Sequence, residues 1–433
     1  MRSICLTQDY DRYTAAWQRV AEAGVRHLAL DTWAAGRRYL SLTALVLSAA
    51  EAAQLKRLSV QFGRLLDRAT LAILQDPDWW PALDWPWPAI ELARQEPVHP
   101  HGRATLFGRF DCLLDSSGTW QIIEYNADTP SGGREVAGLQ PAIARAHSAR
   151  RSGLTTVGHG IARRLSRALT RRIAQHHRPV RLVGVVSCHS WLEDMAEASW
   201  LGLLLNAAGQ PTLVGDVTDL VVRRGALTLR GRRIDAVYRF YPVERLYRHA
   251  VFAPLMEAAI DGRVLLLNGL RGFVAQSKAT LAWLWANRRT LGSHACADIE
   301  RHLPPTLLAR RPAATRLLAD GVVKHVNGRE GDSVAFGATL SPDAWEARLL
   351  EGGYVVQRLV RSPAVGDVSV DDWAPTIEWV VPRIACVGAF CIDGQFGGCY
   401  TRLDGPITTE RAAFVATLAE RAAQQRSPAV AGA

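Results

Sequence analysis

The chain has 433 residues, a net charge of +10 and 48% hydrophobic residues, with a mean hydropathy of −0.01. At about 150 residues per domain this length corresponds to roughly three domains, and the composition excludes a disordered or collagen-like chain. Polar residues interrupt every apolar stretch before the roughly 18 residues that a membrane span needs, and the first residues lack the apolar segment of a secretory signal. We therefore expect a globular cytoplasmic protein without a membrane partner.

The cysteines and lysines of the chain indicate which kinds of site it can form. The seven cysteines form no CxxC pair, and none of the twelve histidines belongs to an HExxH motif. This pattern predicts free thiols in a reducing compartment and neither a disulfide framework nor a zinc site. Lysine occurs only at positions 56, 278 and 324, whereas arginine supplies the other 48 basic residues. Because lysine is so rare here, Lys278 and Lys324 are candidate functional residues.

The first part of the chain is predicted to be helical. Residues 10–75 carry apolar side chains at helical spacing, most regularly from Thr43 to Ile73, and the Trp- and Pro-rich segment 76–88 ends this region. Residues 104–128 are predicted to form a β-hairpin and residues 138–177 to be helical. The continuous apolar run at 180–188 is typical of a strand in a buried parallel sheet.

The second half alternates strands and helices. The helix at 194–208, the strand at 211–214 and the strands around Gly231 indicate a small α/β domain without a GxGxxG motif. From residue 263 onward, several strands and a helix at 276–286 indicate a mixed block. We therefore divide the chain into a helical N-terminal region (1–100), a mixed core (101–178 and 263–415), an inserted α/β domain (179–262), and a C-terminal helix end with a frayed tail (416–433).

An arginine-rich segment lies inside the second helical region. Nine arginines occur from Arg150 to Arg181, and no acidic residue occurs between Glu135 and Glu193. One interpretation is a phosphate- or nucleic-acid-binding surface. The favoured interpretation is a solvated helix face, because arginine is the usual polar residue of this chain and no aromatic residues are interleaved with it.

The predicted hairpin carries the residues that indicate chemistry. Alternation places Arg109 and Asp111 on one face of the first strand, and Glu124 and Asn126 on one face of the second. A register that pairs Asp111 with Glu124 also pairs Arg109 with Asn126. It centres the turn between Ser117 and Gly118, within residues 115–118, which favour turns. Facing carboxylates repel each other, but Mg²⁺ prefers such oxygen ligands, and a neighbouring arginine suits a phosphate. The alternative is a surface hairpin with a salt-bridged arginine.

Six segments in order resemble the synthetase domain of the glutathionylspermidine synthase family. They are the hairpin with RFD and EYNADTP, IDAVYRFYPVE (234–244), LLNGLRGFVAQSKATLAWLW (266–285), KHVNGREGDSV (324–334), YVVQRLV (354–360) and GAFCIDGQFGGCYTR (388–402). We expect no amidase domain of the kind that the bifunctional members carry. The resemblance implies an α+β ATP-grasp fold with an inserted pre-ATP-grasp-like domain. It also implies an ATP-dependent carboxylate–amine ligase.

The resemblance also implies roles for individual positions. The implied magnesium ligands are Asp111, Glu124 and Asn126, and the implied transition-state arginines are Arg109 and Arg402. The implied nucleotide-binding residues are Lys278, Lys324, Gln357 and, in the loop Asn327-Gly328-Arg329-Glu330-Gly331, Gly328, Arg329 and Gly331. Lysine offers phosphates a compact cation, and glycines allow close backbone approach and lid motion. The alternatives are a solvated lysine at 278, a tight turn at the glycines and a strand-end salt bridge at 402.

The resemblance does not identify the substrates. Thr129 and Ser131 follow the hairpin where the family holds its carboxylate substrate, but Gly132-Gly133-Arg134 departs from the family pattern. Glu193 and Asp194, with Glu197, are candidate carboxylates for a polyamine, although a helix N-terminus favours acidic residues in any case.

We expect a ligase that uses ATP and Mg²⁺ to join a small-molecule carboxylate to an amine through an acyl phosphate. Nucleic acid is not an expected substrate or partner. The alternatives are an ATP-binding relative without ligase activity, which would act as a structural or regulatory partner, and a basic nucleic-acid-binding protein.

Overall fold

The computed structural model describes residues 1–34, 36–97, 99, 102–329 and 331–421. Its helices are α1 (Tyr10–Val25), α2 (Ala49–Leu74), α3 (Trp87–Gln95), α4 (Gly133–Ala146), α5 (Ile161–Ala174), α6 (Leu192–Ala207), α7 (Val243–Leu246), α8 (Phe252–Ile260), α9 (Arg271–Gln276), α10 (Lys278–Asn287), α11 (Ser293–His302), α12 (Pro312–Leu317) and α13 (Pro342–Glu351). Its strands are β1 (Arg2–Ile4), β2 (Trp33–Ala34), β3 (Arg37–Arg38), β4 (Leu40–Leu47), β5 (Phe107–Leu114), β6 (Trp120–Asn126), β7 (Leu154–Thr156), β8 (Val183–Ser187), β9 (Thr212–Asp216), β10 (Leu220–Arg223), β11 (Ala226–Leu229), β12 (Arg232–Arg233), β13 (Ala236–Phe240), β14 (Leu265–Leu266), β15 (Thr306–Leu308), β16 (Gly321–His325), β17 (Ala335–Phe336), β18 (Tyr354–Arg358), β19 (Val365–Asp371), β20 (Thr376–Ile392), β21 (Gln395–Asp404) and β22 (Ala413–Glu420).

A nine-stranded sheet forms the centre of the molecule. Its strands follow the order β1-β4-β22-β21-β20-β5-β6, with β19 paired to β20 and β7 paired to β22. Helix α2 packs against β20 and β21, whereas α4 and α5 also contact this sheet and α4 packs on α1. The last strand of the described residues, β22, lies between β4 and β21 and runs parallel to β4. The hairpin of β5 and β6, predicted at 104–128, therefore stands at one edge of this sheet.

The helical prediction for residues 10–75 is right for α1 and α2 and wrong between them. Residues 40–47 form β4, and all eight are buried. Helix α2 begins only after Ser48, whose side chain accepts a hydrogen bond from the backbone N–H of Glu51, while the Glu51 carboxylate accepts one from Ser48 N. Since both faces of β4 are buried, its apolar run shows no alternation, and periodicity alone cannot distinguish it from a helix.

The predicted C-terminal helix end is also wrong. Residues 413–420 form β22, whose six central residues are buried inside the central sheet. The rest of the predicted frayed tail, residues 422–433, lies outside the described residues. The predicted helical stretch 138–177 is interrupted as well, because β7 separates α4 from α5 and pairs with β22.

Two smaller sheets flank the central one. The predicted strand–helix alternation after residue 180 is confirmed as a parallel sheet with the order β14-β13-β8-β9, on which α6 packs. An antiparallel sheet with the order β15-β18-β16-β17 follows later in the chain. The fold is thus mixed, with helices and both sheet types, as predicted. The division of the chain into domains stays a prediction.

Three further features bear on the predictions. All seven cysteines are free, as predicted. Exposed arginines, including Arg163, Arg164 and Arg167, line one side of α5, whose opposite side is buried. Among the described residues, no helix combines the length and apolarity needed to cross a bilayer.

Candidate active site

A cavity of about 770 Å³ lies where the central sheet, the parallel sheet and the antiparallel sheet of β16 to β18 face one another. All fifteen residues singled out from the sequence line it: Arg109, Asp111, Glu124, Asn126, Thr129, Ser131, Glu193, Asp194, Lys278, Lys324, Gly328, Arg329, Gly331, Gln357 and Arg402. The fold therefore brings together residues that are up to 293 positions apart in the chain, from Arg109 to Arg402. Their individual roles remain predictions.

The predicted register of the hairpin is confirmed. Asp111 faces Glu124, and Arg109 faces Asn126. Directly after Asp111 the register shifts by one residue, so that Cys112 faces Ile122. This β-bulge adds a residue to β6 without disturbing the four-residue patch, and bulges of this kind often occur beside active sites.

Asp111 is buried between two guanidinium groups. Arg109 donates to both of its carboxylate oxygens, with Nε–Oδ1 at 2.7 Å and Nη2–Oδ2 at 3.1 Å. Arg402 Nη2 donates to Oδ2 at 2.9 Å, and Asn126 Nδ2 approaches the same oxygen at 3.3 Å. Burial alone would raise the pKa of Asp111, but the two arginines outweigh burial and hold this pKa below its ordinary value. The carboxylate is therefore ionised, and it fixes two cations beside it, the buried Arg109 and the partly buried Arg402.

Lys278 and Lys324 reach the same cavity from α10 and β16. Lys278 Nζ lies 3.1 Å from Glu124 Oε1 and donates to the carbonyl oxygen of Gly328 at 2.8 Å. Lys324 Nζ donates to Gln357 Oε1 at 2.7 Å. Burial lowers the pKa of Lys324 to about 8, against the opposing charge of Glu124. Two of the three lysines of the chain are thus buried in one cavity.

The glycine loop, defined here as residues 327–331, closes over the cavity through Arg329. Glu330 lies outside the described residues. Arg329 forms a bidentate ion pair with Glu244, at 2.9 and 3.1 Å, and donates to Asp128 Oδ2 at 2.9 Å and to Thr129 Oγ1 at 3.1 Å. Asp128 is fully buried and also pairs with Arg239 of the parallel sheet. One carboxylate therefore joins the hairpin, the parallel sheet and the glycine loop.

Gly331 adopts φ = +77°, a conformation that favours glycine. At Gly328 a Cβ atom would lie 2.7 Å from Ser333 Oγ. A tight turn therefore accounts for both glycines, and Gly328 additionally offers its carbonyl oxygen to Lys278.

The unusual Gly132-Gly133-Arg134 segment starts α4 against the cavity. Gly132 has φ = +96°, and a Cβ there would lie 2.7 Å from the ring of Tyr400. Arg134 is 2% exposed and pairs with Asp31 at 2.6 Å and with Glu197 at 2.7 Å. The departure from the family pattern therefore builds a buried ion-pair cluster on the cavity wall.

Many of the charged side chains that line the cavity fall into two groups, which we call the cationic end and the acidic end. The cationic end is lined by Arg109, Arg402, Lys278, Lys324 and Arg329, together with Asp111 and Glu124. The acidic end is lined by Asp31, Glu135, Glu193, Asp194 and Glu197, together with Arg134 and Arg245. Tyr39 and Tyr400 lie between the two ends. Their hydroxyl oxygens are 2.6 Å apart, Tyr39 donates to Glu135 at 3.3 Å, and the Arg109 guanidinium lies 5.1 Å from the Tyr400 ring centre.

Sequence reasoning missed several residues of the acidic end. Asp31, Tyr39, Arg134 and Glu135 line the cavity but were not among the candidates. The departure at 132–134 was the available signal for Arg134 and its neighbours. Thr129 and Ser131, expected to hold a carboxylate substrate, accept hydrogen bonds from Arg329 and Arg109 respectively.

The hairpin offers oxygen donors suited to a hard cation. Two carboxylates and one amide lie on one face in paired register, which is the donor set that Mg²⁺ prefers when substrate phosphates complete its shell. Within the described part of the chain, no group of three or more His, Cys, Asp or Glu side chains could hold a metal ion. A magnesium ion here would therefore depend on Asn126 and on the substrate.

Comparison with known proteins gives a family and a fold. The family model described as glutathionylspermidine synthase preATP-grasp matches residues 10–420. No curated protein is significantly similar in sequence. A glutathione synthetase-like effector from Globodera pallida, in its apo form, is similar with a TM-score of 0.63 and 12% identity, over 95% of this chain and 98% of that chain.

Two other solved structures are more distant. A putative gamma-glutamylcysteine synthetase from Methylobacillus flagellatus has a TM-score of 0.43 and 10% identity, over 85% of this chain and 86% of that chain. The ATP-grasp ligase PsnB, complexed with a minimal precursor, has a TM-score of 0.29 and 16% identity, over 56% of this chain and 91% of that chain. The fold is the α+β ATP-grasp fold expected from the sequence, and the family supports a ligase. Since the family model covers nearly the whole chain, the protein belongs to the glutathionylspermidine synthase preATP-grasp family.

Proposed function

We propose that the protein is an ATP-dependent carboxylate–amine ligase that forms an amide bond through an acyl phosphate. The observation that carries this proposal is the cationic end of the cavity. There the buried side chains of Arg109, Lys278 and Lys324 and the partly buried Arg402 surround the paired carboxylates of the hairpin. Buried cations of this density need anions, and the protein carboxylates offset only part of their charge. A nucleoside triphosphate would supply the negative charge that balances the remaining cations.

The nucleotide is assigned to Lys278, Lys324, Gln357 and the glycine loop. Lys324 and Gln357 are hydrogen-bonded to each other, and Gln357 Nε2 is held by Thr306 Oγ1 at 3.0 Å. This chain of contacts fixes an amide where the edge of a base can bind, while both lysines face the phosphates. Closing the loop through Arg329 would exclude water from the phosphates.

Asp111, Glu124 and Asn126 are the residues that would hold Mg²⁺. When bound, the ion neutralises charge on the phosphates and orients them. Arg109 and Arg402 are fixed by Asp111 before any substrate arrives, so they stabilise the transferring phosphoryl group without reorganisation. Phosphoryl transfer depends mainly on such positioning and electrostatics.

The reaction has two steps. A carboxylate oxygen of the first substrate attacks the γ-phosphorus of ATP, and ADP leaves. An amine nitrogen then attacks the carbonyl carbon of the acyl phosphate, a C–N bond forms, and the C–O bond to phosphate breaks. We assign the carboxylate substrate to the neighbourhood of Thr129 and Ser131, and the amine to the acidic end with Glu193 and Asp194. The free thiols and the use of ATP suit a cytoplasmic enzyme.

Hydroxylamine trapping tests this proposal. The protein is incubated with Mg-ATP, a pool of amino acids, peptides and other carboxylic acids, and hydroxylamine, and hydroxamates are identified by mass spectrometry. We expect an ATP-dependent hydroxamate that falls at least about 100-fold in Asp111→Asn, because that variant loses the carboxylate that organises both arginines.

The matched control is Asp115→Asn, in the same hairpin. Asp115 accepts hydrogen bonds from Ser117, Thr119 and Gln121 in the turn and contacts no residue of the cationic end. Its variant should retain the hydroxamate. ATP binding without any hydroxamate, even after cell extract is added to the pool, would contradict the proposal and favour an ATP-binding protein without ligase activity.

A further inference from the structure

At the acidic end, two buried carboxylates each have a hydrogen-bond partner for only one of their two oxygens. Glu135 is 5% exposed and Glu197 is 1% exposed, and both line the cavity. Within the described residues, Glu135 Oε2 and Glu197 Oε1 have no hydrogen-bond partner. A buried acceptor without a partner destabilises the folded state, so such atoms in a native site call for an explanation. A donor supplied by a ligand is that explanation here.

The surroundings specify the charge of this ligand. The other oxygen of Glu197 is bound by Arg134, which also pairs with Asp31, and Glu135 accepts from Tyr39. The charged and titratable groups that act on Glu197 come from three directions: Arg134 and Glu135 from α4, Asp31 from the segment before β2, and Tyr238 from β13. Carboxylates outnumber the guanidinium group in this cluster, which favours a cation.

The position of Glu197 connects it to the cationic end. Arg109 donates to the carbonyl oxygen of Ser131 at 2.8 Å, and Gly132 packs beneath the Tyr400 ring. A Cβ on Gly133 would lie 3.4 Å from Glu197 Oε1. Consecutive residues thus lead from the partner of Arg109 to the free oxygen of Glu197. A nucleophile bound there would share one cavity with the residues assigned to phosphoryl transfer.

We propose that Glu135 and Glu197 bind the nucleophile as a primary ammonium ion and that Glu197 accepts one proton from it before attack. This inference rests on the proposed function. The ammonium R–NH₃⁺ gives a proton to the Glu197 carboxylate and becomes R–NH₂. Its nitrogen then attacks the acyl phosphate, the C–O bond breaks, and the second proton leaves with the phosphate.

The ionisation of Glu197 is consistent with this step. Burial raises the pKa of Glu197 to about 7, Arg134 opposes the rise, and the nearby charge of Glu135 adds to it. A general base works best when its pKa lies near the working pH. Glu197 is ionised above this pKa and neutral below it, so amide formation from an ammonium substrate should rise with pH through about 7.

The test compares two nucleophiles in wild-type protein and in Glu197→Gln. Hydroxylamine is mostly uncharged at neutral pH and needs no base, whereas primary alkylamines are ammonium ions. With the acid found by hydroxylamine trapping, the variant should lose much less hydroxamate formation than amide formation, because hydroxylamine does not need Glu197 as a base. Its amide formation from alkylamines should fall by about 100-fold, the usual contribution of general-base catalysis. The wild-type rise in amide formation near pH 7 should disappear.

Asp31→Asn controls for structural effects, because Asp31 pairs with the same arginine. Any loss it causes should affect both nucleophiles equally. The rise of amide formation with pH should persist and move to lower pH, because the negative charge of Asp31 no longer raises the pKa of Glu197. Equal losses for both nucleophiles in Glu197→Gln, or no loss for either, would overturn the role of Glu197. A wild-type protein that forms no hydroxamate would overturn the proposed function itself, and this step with it.

Discussion

The two ends of the cavity differ in how their charges are satisfied. At the cationic end, Arg109 and Arg402 are bound by Asp111, Lys278 by Glu124, and Lys324 by Gln357. At the acidic end, Glu135 and Glu197 each keep one buried oxygen without a partner among the described residues. The cationic end is therefore organised before any substrate binds, whereas the acidic end still lacks a donor.

This difference agrees with different roles for the two ends of the cavity. Electrostatic stabilisation is most effective when the charged groups are already oriented, since no reorganisation is then needed during the reaction. A recognition site, in contrast, gains specificity from buried polar groups that only the correct ligand satisfies. The cationic end suits the chemistry common to ATP-grasp ligases, and the acidic end suits the choice of substrate.

The largest expected effect tests whether Arg134 holds the acidic end together. Arg134→Leu leaves Asp31 and Glu197 as buried carboxylates without their cation, which costs about 3–5 kcal/mol of unfolding free energy. Urea unfolding at pH 7 and pH 5 measures the loss. We expect a smaller loss at pH 5, because Glu197, whose pKa burial raises to about 7, is protonated there. Arg163→Leu, on the exposed side of α5, should change the free energy by no more than about 0.5 kcal/mol. Equal effects of the two substitutions would contradict the buried cluster.

An intermediate effect concerns the cationic end. Lys324→Met should weaken ATP binding by about 10- to 100-fold, or about 1.4–2.8 kcal/mol. Since burial lowers the pKa of Lys324 to about 8, the amine is charged below that pH and neutral above it. ATP affinity of the wild-type protein, measured by calorimetry, should therefore fall as the pH rises from 7 to 9. The variant should lack this dependence.

Lys56→Met is the matched control, because Lys56 is exposed on α2 and lies outside this cavity. It should bind ATP as the wild type does. An unchanged ATP affinity in Lys324→Met would remove Lys324 from the nucleotide site.

The smallest expected effect concerns the glycine loop. Glu244→Gln weakens the ion pair with Arg329, and partly exposed pairs of this kind contribute about 0.2–1 kcal/mol. We expect up to about fivefold more ATP hydrolysis without product, because a looser loop admits water. Phosphate release and amide formation, measured in parallel, give this ratio. Glu91→Gln, which alters an exposed Glu–Arg pair on α3, should leave it unchanged. A ratio unaltered in Glu244→Gln would show that this pair does not close the loop.

The hairpin could be predicted because its geometry is local. Alternation fixes the face of Arg109 and Asp111, a short turn fixes the register, and both were read correctly. The bulge after Asp111 was not predictable, yet it falls beyond the patch. The rarity of lysine marked Lys278 and Lys324, although composition alone could not show that they share one cavity.

The features that could not be predicted depend on packing between segments that are far apart in the sequence. Strands β4 and β22 are covered on both faces, so their apolar runs lack the alternation that identifies a strand. The acidic end combines Asp31, Arg134 and Glu197, which come from three separate elements. No spacing rule links such positions, and only the fold places them in contact.

The position of β22 between β4 and β21 has a consequence for protein synthesis. Roughly 360 residues separate β4 from β22, and ribosomes add about 5–20 residues per second. During synthesis, the edge of β4 that pairs with β22 therefore stays unpaired for tens of seconds. An apolar strand edge exposed for that time can pair with other chains. We therefore expect the nascent protein to depend on chaperones until β22 has been made.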